Sequence, residues 1–414
     1  MKPRVISLYS GAGGLDYGFE AAGFRTSVAI ELDRDCCETL RSNRKWSVIE
    51  RSIFDVPTEE MLEMASAEPG EIDVVIGGPP CQPFSKAGYW ARGDALRLDD
   101  PRAATLSAYL RVVEEALPRV FLLENVGGLA FSGKDDGLQM LLRGIELINK
   151  KTKSAYRPAV ALLNAVDYGV PQMRERLFIV AARDGRQFHF PAPTHFPEPA
   201  KDELTFDARN ATRHRTAWDA LADVMPASSE DRAPRGKWAG LLPSSPEGYN
   251  YLWHTDRGGG RPIFGWRRRY WSFLLKLAKA KPSWTIQAQP GPAIGPFHWD
   301  NRYLSMRELC RLQTFPDDVN VLGTRASVQK QLGNAVPSLL GEVIAREIRT
   351  QLLGYRSLLT APKLMPEQRE STPSPKKIGR VPAQYRVLEG RHSAHPGTGK
   401  GTRAKARQLE SAAS

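Results

Sequence analysis

Short runs of β-branched and other apolar residues alternate with longer amphipathic stretches through the first half of the chain. Six of these runs suit buried strands, at residues 5–9, 28–30, 72–76, 119–123, 159–163 and 177–182. Such alternation is typical of βα units wound around a parallel sheet. We therefore predict an α/β fold with a Rossmann-like, mostly parallel sheet and helices on both of its faces.

The pattern changes after residue 183. Residues 184–300 are rich in Pro, Gly, Trp and Arg and show little periodicity, which predicts a separate, smaller and loop-rich lobe. Helical spacing returns at Met306, Leu309 and Leu312, so residues 301–360 are expected to pack back against residues 1–183. Residues 361–414 are rich in Pro, Ser, Lys and Arg and poor in large apolar side chains, which predicts a disordered basic tail.

Composition narrows the possible classes of protein only slightly. The formal net charge of the 414 residues is +12, but residues 361–414 alone hold 11 Lys/Arg against 4 Asp/Glu, so charge does not establish a nucleic-acid partner. Four cysteines without a Cys-x-x-Cys pair argue against a disulfide framework and against a zinc site, so we expect no metal. No stretch approaches 18 apolar residues, which argues against a membrane span and favours the cytoplasm.

A glycine-rich turn follows the first predicted strand, with Gly11, Gly13 and Gly14, and Glu31 ends the second strand. Glycines let the backbone approach a ligand closely, and the carboxylate can accept hydrogen bonds from ribose hydroxyls. A tight turn beside a solvated glutamate would give the same pattern. A dinucleotide site would need a glycine at position 16, where Asp16 would instead repel a pyrophosphate. S-adenosylmethionine carries a cationic sulfonium and no phosphate, so this departure favours a methyl donor.

The third predicted strand ends in Gly-Gly-Pro-Pro and is followed by Cys81. Pro79 and Pro80 stiffen the backbone and prevent a helix from running through the cysteine. A free cysteine is more often a small buried apolar residue, but the flanking Gly and Pro argue against a core strand here. A thiol on a stiff turn at a strand end is a candidate nucleophile.

The segment Gly-Pro-Pro-Cys-Gln-Pro-Phe-Ser around Cys81 resembles the hallmark of the DNA (cytosine-5)-methyltransferases. Further blocks follow in that family's order: Tyr-Ser-Gly-Ala-Gly-Gly from Tyr9, Glu-Asn-Val from Glu124, Gln-Met-Arg-Glu-Arg from Gln172, Arg-Glu-Leu from Arg307 through Gln-Thr-Phe-Pro from Gln313, and Gln-Leu-Gly-Asn-Ala-Val-Pro from Gln331. The resemblance covers residues 5–352 apart from the variable lobe. It implies a prokaryotic methyltransferase of the type II restriction-modification kind.

The resemblance also implies roles for four catalytic residues. The Cys81 thiolate would add to C6 of the cytosine, and Glu124 would hold or donate a proton at N3, for which its pKa should exceed that of a free glutamate. Arg174 and Arg176 would complete the pocket, one toward the cytosine O2 and the other toward the cysteine loop or backbone. None of these groups can reach a stacked base, so the nucleotide would be flipped out of the duplex.

The implied cofactor is S-adenosylmethionine. The glycine loop would hold its methionine end, Glu31 its ribose and Leu32 its adenine. The full set of implied contacts is Tyr9, Gly11, Ala12, Gly13, Gly14, Glu31, Leu32, Ser52, Ile53, Pro79, Asn334 and Val336. The family often has an acidic residue where Ser52 stands, and Asp55 is the alternative contact for the adenine amine if the loop is shifted.

The implied partner is double-stranded DNA, with residues 184–300 acting as the target-recognition lobe. The expected DNA contacts are Gln82, Ser85, Arg257, Arg261, Arg267, Arg268 and Arg269. Arginine can pair bidentately with guanine, although at least one residue of 267–269 is expected to contact phosphate instead.

Three alternatives differ in substrate or class. A tRNA cytosine-5 methyltransferase would share the catalytic residues but would not need a sizeable lobe to read a major groove. A catalytically silent DNA-binding relative is disfavoured by the intact set of Cys81, Glu124 and Arg176, and a nicotinamide-dependent oxidoreductase is disfavoured by Asp16. We expect a monomer that works alongside a restriction endonuclease without a stable complex.

Overall fold

The computed structural model describes residues 2–80, 104–130, 136–197, 212–225, 231–266, 271–356, 358 and 360–391. One seven-stranded sheet forms its centre. The strands are β1 (Arg4–Leu8), β2 (Arg25–Glu31), β3 (Ser47–Glu50), β4 (Val74–Gly77), β5 (Val120–Asn125), β6 (Ala159–Asn164) and β7 (Glu175–Ala182). All six predicted strands are present, and β3 is an additional one.

The spatial order of the strands is β3-β2-β1-β4-β5-β7-β6. Strands β1 to β5 pair in parallel, whereas β7 is antiparallel to both β5 and β6. The chain winds outward in one direction from β1 to β3 and then crosses to β4 on the other side of β1. The strand order therefore reverses between β1 and β4, where open α/β sheets bind ligands.

Helices cover both faces of the sheet, as predicted. The described helices are α1 (Gly14–Ala21), α2 (Arg34–Asn43), α3 (Thr58–Met64), α4 (Ala104–Ala116), α5 (Asp136–Thr152), α6 (Ala217–Leu221), α7 (Met306–Leu312), α8 (Arg325–Asn334), α9 (Ser338–Glu347) and α10 (Ala383–Arg386). Side chains of α3, α4 and α5 share a core cluster with Ile6. The preceding residue, Val5, belongs to the cluster on the opposite face with α1 and α9, because successive strand side chains point to opposite faces.

The late helices pack against the sheet. Leu339, Leu340 and Ile344 of α9 are fully buried in the cluster that contains Phe19 of α1. Helix α9 continues as a π-helix over Ile348–Leu352. Helix α9 and the π-helix therefore cover the same face of the sheet as α1, although more than 300 residues separate them along the chain.

The described part of residues 184–300 has few regular elements, namely the short strand pair β8 (His195–Phe196) and β9 (Thr212–Arg213), helix α6 and two 3₁₀ helices. An aromatic cluster replaces a sheet-based core here and includes Trp238, Tyr251, Phe264 and Phe273. The described part of this segment is therefore loop-rich. No helix among the described residues is long and apolar enough to cross a membrane.

The prediction of a disordered tail from residue 361 is wrong for residues 361–391. Tyr385 of α10 is buried in the aromatic cluster. Buried carboxylates hold the backbone of this segment, since Glu342 accepts hydrogen bonds from the N–H groups of Lys363 and Leu364. The low apolar content that predicts disorder does not register such backbone contacts or a single buried aromatic ring. Residues 392–414 lie outside the described residues.

Candidate active site

A cavity of about 700 Å³ opens where strands β1, β2, β4 and β5 end. It lies at the reversal of strand order, and its volume suits a small-molecule ligand. Most of the predicted cofactor residues line it: Tyr9, Gly11, Gly14, Glu31, Leu32, Ser52, Ile53, Pro79, Asn334 and Val336. Ala12 and Gly13 do not. Ala12 packs into the core behind the loop, and Gly13 is the N-cap of α1.

Glu31 fixes the shape of the glycine loop. One carboxylate oxygen accepts a hydrogen bond from Gly11 N at 2.7 Å, and the other accepts from Leu32 N at 2.7 Å and Asp33 N at 2.8 Å. The carboxylate thus joins the ends of β1 and β2 at the cavity wall. A carboxylate has about four lone-pair positions, so acceptor capacity remains for hydroxyl groups of a ligand.

Two apolar side chains stand exposed at the cavity mouth. Leu32 is 67% exposed and Phe54 is 56% exposed, although both line the cavity. Exposed apolar groups of this size at a cavity suit a flat apolar ligand group such as a purine. Ser52 also lines the cavity and accepts a hydrogen bond from Phe54 N at 3.4 Å, whereas Asp55 is not part of the lining.

The last wall of the cavity comes from the late segment. Asn334 at the end of α8 and Val336 both line it. The loop and this segment meet closely, because a Cβ atom on Gly14 would lie 2.3 Å from Val336 O. Lys330 of α8 forms an ion pair of 2.6 Å with Asp33 at the same cavity, which lowers the pKa of Asp33. Sequence reasoning did not identify this pair, since α8 lies about 300 positions from Asp33.

Asp16 is fully buried at the base of the loop. Its carboxylate accepts hydrogen bonds from the hydroxyls of Ser7 at 3.0 Å and Thr26 at 3.2 Å. Burial raises its pKa to about 6, although the two hydroxyls oppose that shift. The position that excludes a dinucleotide motif therefore holds a structural carboxylate that ties α1 to β1 and β2.

Buried Glu124 forms an ion pair with Arg176, which is largely buried. The pair lies on β5 and β7, on the other side of β1 from Glu31 on β2. The Arg176 Nε atom lies 2.8 Å from Glu124 Oε1, and both residues line the cavity. Burial raises the pKa of Glu124, while the guanidinium groups of Arg176 and Arg174 oppose the shift. A Cβ atom on Gly78 would lie 2.7 Å from Glu124 Oε2, so a side chain at position 78 would force the carboxylate to shift.

Arg174 does not reach the cavity. It is fully buried and donates to Ile286 O at 3.3 Å and to Gly333 O at 2.6 Å. It therefore joins the residues just before β7 to the loop-rich segment and to the end of α8. Its position beside Asn334 makes it a support for the cavity wall.

The approach to Cys81 is held in place by two hydrogen bonds. Asn125 Nδ2 donates to Pro79 O at 3.1 Å, and Thr105 Oγ1 donates to Pro80 O at 3.3 Å. Pro79 and Pro80 line the cavity together with Glu124. Cys81, Gln82 and Ser85 themselves lie outside the described residues.

The predicted DNA-reading arginines are only partly described. Arg257 lies over the ring of Trp266, with 4.1 Å from its guanidinium carbon to the ring centroid. Arg261 forms an exposed ion pair with Glu389 at 2.6 Å. The glycines between the two arginines pack around Trp253 rather than remaining open. Arg267, Arg268 and Arg269 lie outside the described residues.

Comparison with known proteins gives a consistent result. A family model described as C-5 cytosine-specific DNA methylase matches residues 3–350. The type II methyltransferase M.SacI of Streptomyces achromogenes is 41% identical over 375 residues, spanning 85% of this chain and 93% of that protein. M.AquIA of a Picosynechococcus strain is 44% identical over 231 residues, spanning 55% of this chain and 91% of that protein.

Solved structures share the fold at low sequence identity. The Dnmt2 methyltransferase of S. pombe superposes with a TM-score of 0.53 at 17% identity, over 85% of this chain and 99% of that one. A chain described as a DNA modification methyltransferase encoded within an E. coli prophage gives 0.58 at 22% identity, over 85% and 100%.

Proposed function

The chain belongs to the C-5 cytosine-specific DNA methylases and is a DNA (cytosine-5)-methyltransferase of the type II kind, and from this premise we propose how its residues act. The observation that carries the proposal is the ion pair of buried Glu124 with Arg176, which shares one cavity with Glu31 and with the prolines preceding Cys81. The part of the cavity around Glu31, here called the cofactor half, is proposed to bind the cofactor. The part around Glu124 and Arg176, here called the base half, is proposed to bind the cytosine.

The cofactor half fits S-adenosylmethionine. We propose that the free acceptor positions of Glu31 bind ribose hydroxyls and that Leu32 and Phe54 enclose the adenine. Described carboxylates at this cavity include Glu31 and Asp33, which suits a ligand with a cationic sulfonium and an amino group. When bound, this cofactor supplies the methyl group. Ser52 stays the proposed adenine-amine contact, because Asp55 does not line the cavity.

The base half is proposed to activate cytosine by covalent addition. The Cys81 thiolate forms a bond to C6, and the displaced electron pair moves into the ring toward N3 and O2. Glu124 holds or donates a proton at N3, and its burial keeps its pKa above the ordinary glutamate value, as this role requires. After C5 has received the methyl group, the C5 proton passes to water and the C5–H electron pair forms the C5=C6 double bond. The C6–S bond then breaks to release the Cys81 thiolate, and a proton held at N3 returns to Glu124.

Arg176 is proposed to act on both the carboxylate and the base. Its Nε donor is engaged by Glu124 and one terminal nitrogen donates to Glu175 O, which leaves other N–H donors of the planar group for the cytosine O2. A fixed guanidinium stabilises the charge that develops there without having to reorganise. We assign Arg174 to positioning, because its terminal nitrogens are engaged by backbone carbonyls.

The substrate is proposed to be double-stranded DNA with the target base flipped out, since a buried carboxylate cannot reach N3 of a stacked, paired base. Residues 184–300 are proposed to read the flanking sequence, with Arg257 and Arg261 among the readers. We further propose that the protein acts as a cytoplasmic monomer and protects host DNA from a cognate restriction endonuclease.

The first test maps methylation. Purified protein is incubated with S-adenosylmethionine and unmethylated genomic DNA, and bisulfite sequencing locates protected cytosines. Protection at one short recurring motif is expected, and a Cys81→Ala variant should give none while still binding the cofactor. Turnover by Cys81→Ala would remove that residue from the mechanism. Protection absent from DNA but present on tRNA would overturn the proposed substrate.

Covalent addition has its own test. Duplexes of the mapped motif carrying 5-fluorocytosine at the target should trap a protein–DNA adduct that survives denaturing electrophoresis, because fluorine cannot leave C5 as a proton does. The matched duplex with cytosine should leave no trapped adduct. A fluorinated duplex that is bound but gives no adduct would contradict the addition–elimination scheme.

A further inference from the structure

Residues 363–391 run from the sheet to the aromatic cluster of the loop-rich lobe, beyond the segment that the family model matches. Their first contact is with α9. Glu342 is almost fully buried, and its two carboxylate oxygens accept from Lys363 N at 2.8 Å and Leu364 N at 2.9 Å. Without these N–H donors a buried carboxylate would lose its backbone hydrogen bonds, which is costly. The segment is therefore part of the fold.

The second contact is with α6 and the residues before it. Asp219 is also buried, and it accepts from Arg369 N at 2.7 Å while holding Arg213 in an ion pair of 2.7 Å. Arg215 donates to Pro366 O at 3.0 Å and to the side chain of Gln368 at 2.6 Å. These bonds fix the segment where the chain passes from the sheet into the loop-rich lobe.

The third contact reaches the core of the loop-rich lobe. Gly379 N donates to Pro243 O at 2.8 Å, and α10 places Tyr385 in the aromatic cluster. The Tyr385 ring stacks on Trp238 with 5.8 Å between centroids, and its hydroxyl donates to Lys237 O at 2.8 Å. Tyr385 is 3% exposed, so the cluster is incomplete without this ring.

The segment ends beside the predicted DNA-reading residues. Gly390 N donates to Pro262 O at 3.0 Å, and Glu389 pairs with Arg261 at 2.6 Å. Arg261 is exposed, so this pair contributes little stability. The pair instead restricts the orientation of the long Arg261 side chain in the DNA-free protein, because the Glu389 carboxylate holds its guanidinium group.

We propose that residues 363–391 form a strap that fixes the loop-rich lobe on the sheet, and that Tyr385 and Glu389 are positioning residues for target reading by residues 257–261. The proposal rests on the proposed function for its DNA-reading part. The strap itself follows from the contacts with Glu342, Asp219 and Trp238. Specificity in this chain then depends on residues that need not touch DNA.

The strap is tested in the full chain by amide hydrogen exchange. Tyr385→Ala should raise exchange within residues 238–264 by about tenfold or more, since it removes a buried ring from their cluster, while residues 4–31 stay unchanged. Tyr385→Phe keeps the ring and should remain near the wild type. Val387→Ala, on the exposed residue just after α10, is the matched control. Unchanged exchange in Tyr385→Ala would overturn the strap.

Target reading is tested by methylation kinetics with Glu389→Gln, a surface substitution that should not affect folding. The ratio of kcat/KM between the mapped motif and motifs differing by one base pair should fall about fivefold or more, in line with the discrimination that one arginine contact supplies. Glu370→Gln, another exposed carboxylate of the strap, should leave the ratio unchanged. Equal ratios for the two variants would overturn the positioning role of Glu389.

The two tests separate failure of the strap from failure of the proposed function. A wild-type protein that methylates no DNA would overturn the proposed function, and hydrogen exchange would still decide the strap. A uniform loss of rate on all motifs in Glu389→Gln, with the ratio preserved, would also count against positioning.

Discussion

Glu31→Gln is the substitution whose effect follows most directly from the structure. The carboxylate of Glu31 accepts three backbone hydrogen bonds through its two oxygens. Glutamine has the same shape but replaces one oxygen with an NH₂ group. If the amide oxygen faces Leu32 and Asp33, the NH₂ group faces Gly11 N–H, and two donors then oppose each other.

The expected loss of cofactor affinity can be estimated from these contacts. A hydrogen bond to a charged acceptor contributes about 1.5–3 kcal/mol, and at least one is lost while the charge disappears from the others. If the loop must regain its shape when the ligand binds, a loss of about 1.5–3 kcal/mol weakens binding by about 10- to 150-fold. The amide also offers fewer acceptor positions to ribose hydroxyls.

Isothermal titration calorimetry with S-adenosylmethionine measures the effect. Glu50→Gln is a matched control, because Glu50 is the register partner of Glu31 on β3 and does not line the cavity. The control should bind like the wild type. A dissociation constant for Glu31→Gln within twofold of the wild type, with a lowered melting temperature, would refute a role of Glu31 in binding and leave it as a turn residue.

Three further outcomes are expected. Glu124→Gln should lower kcat by about 10²–10⁴-fold with cofactor binding retained, as expected for loss of a general acid, and a near-normal single-turnover rate would contradict that role. Asp16 has its pKa raised to about 6 from 3.8, so its protonated form stabilises the fold; that stability is fully present below pH 3.8 and is lost as the pH rises through 6. Asp16→Asn should therefore remove a pH-dependent loss of about 3 kcal/mol in the free energy of unfolding, most of which falls between pH 4 and pH 8. The variant should also be the more stable protein at pH 8. Urea unfolding at pH 4 and pH 8 would measure the difference, and equal destabilisation at both would be inconsistent with it. In Arg174→Lys the single ammonium group cannot reach the carbonyls of Ile286 and Gly333 together, so the melting temperature of the variant should fall. Arg186→Lys at the surface is the control and should leave the melting temperature unchanged. Equal melting temperatures for the two variants would argue against a supporting role of Arg174.

The sheet could be predicted because its apolar runs end abruptly in polar, glycine or proline residues. Strand β3 is not among the predicted strands, because Ser47–Glu50 has only two apolar residues. It is an edge strand of the sheet. The position of each arginine relative to β7 explains why Arg176 reaches the cavity and Arg174 does not. Arg176 lies on β7 and lines the cavity, whereas Arg174 precedes the strand. There the backbone of Gln172 pairs with Ser283, and the Arg174 side chain donates to Ile286 O. Spacing along the sequence does not reveal that change of direction.

The strap could not be predicted for a different reason. Composition measures the apolar content of a segment, but this segment is held mainly through its backbone by carboxylates elsewhere in the chain. Asp219 lies 150 positions from its partner Arg369. Neither Glu342 nor Asp219 can be recognised from the sequence as a buried acceptor, because the residue type is the same whether the carboxylate is buried or solvated.

The two halves of the cavity arise from two kinds of strand pairing. Parallel strands bring Glu31 and the glycine loop to one edge of the sheet, as in any open α/β sheet. The base half needs β7 to run antiparallel, because only then does the start of β7 lie beside the end of β5. The register pairs Glu124 with Phe178, so Arg176, the second residue of β7, lies close to the carboxylate with which it forms an ion pair. The acid and the guanidinium are therefore placed by backbone hydrogen bonds between β5 and β7. Substitutions in the loops that precede or follow these strands should change substrate binding before they change this pair.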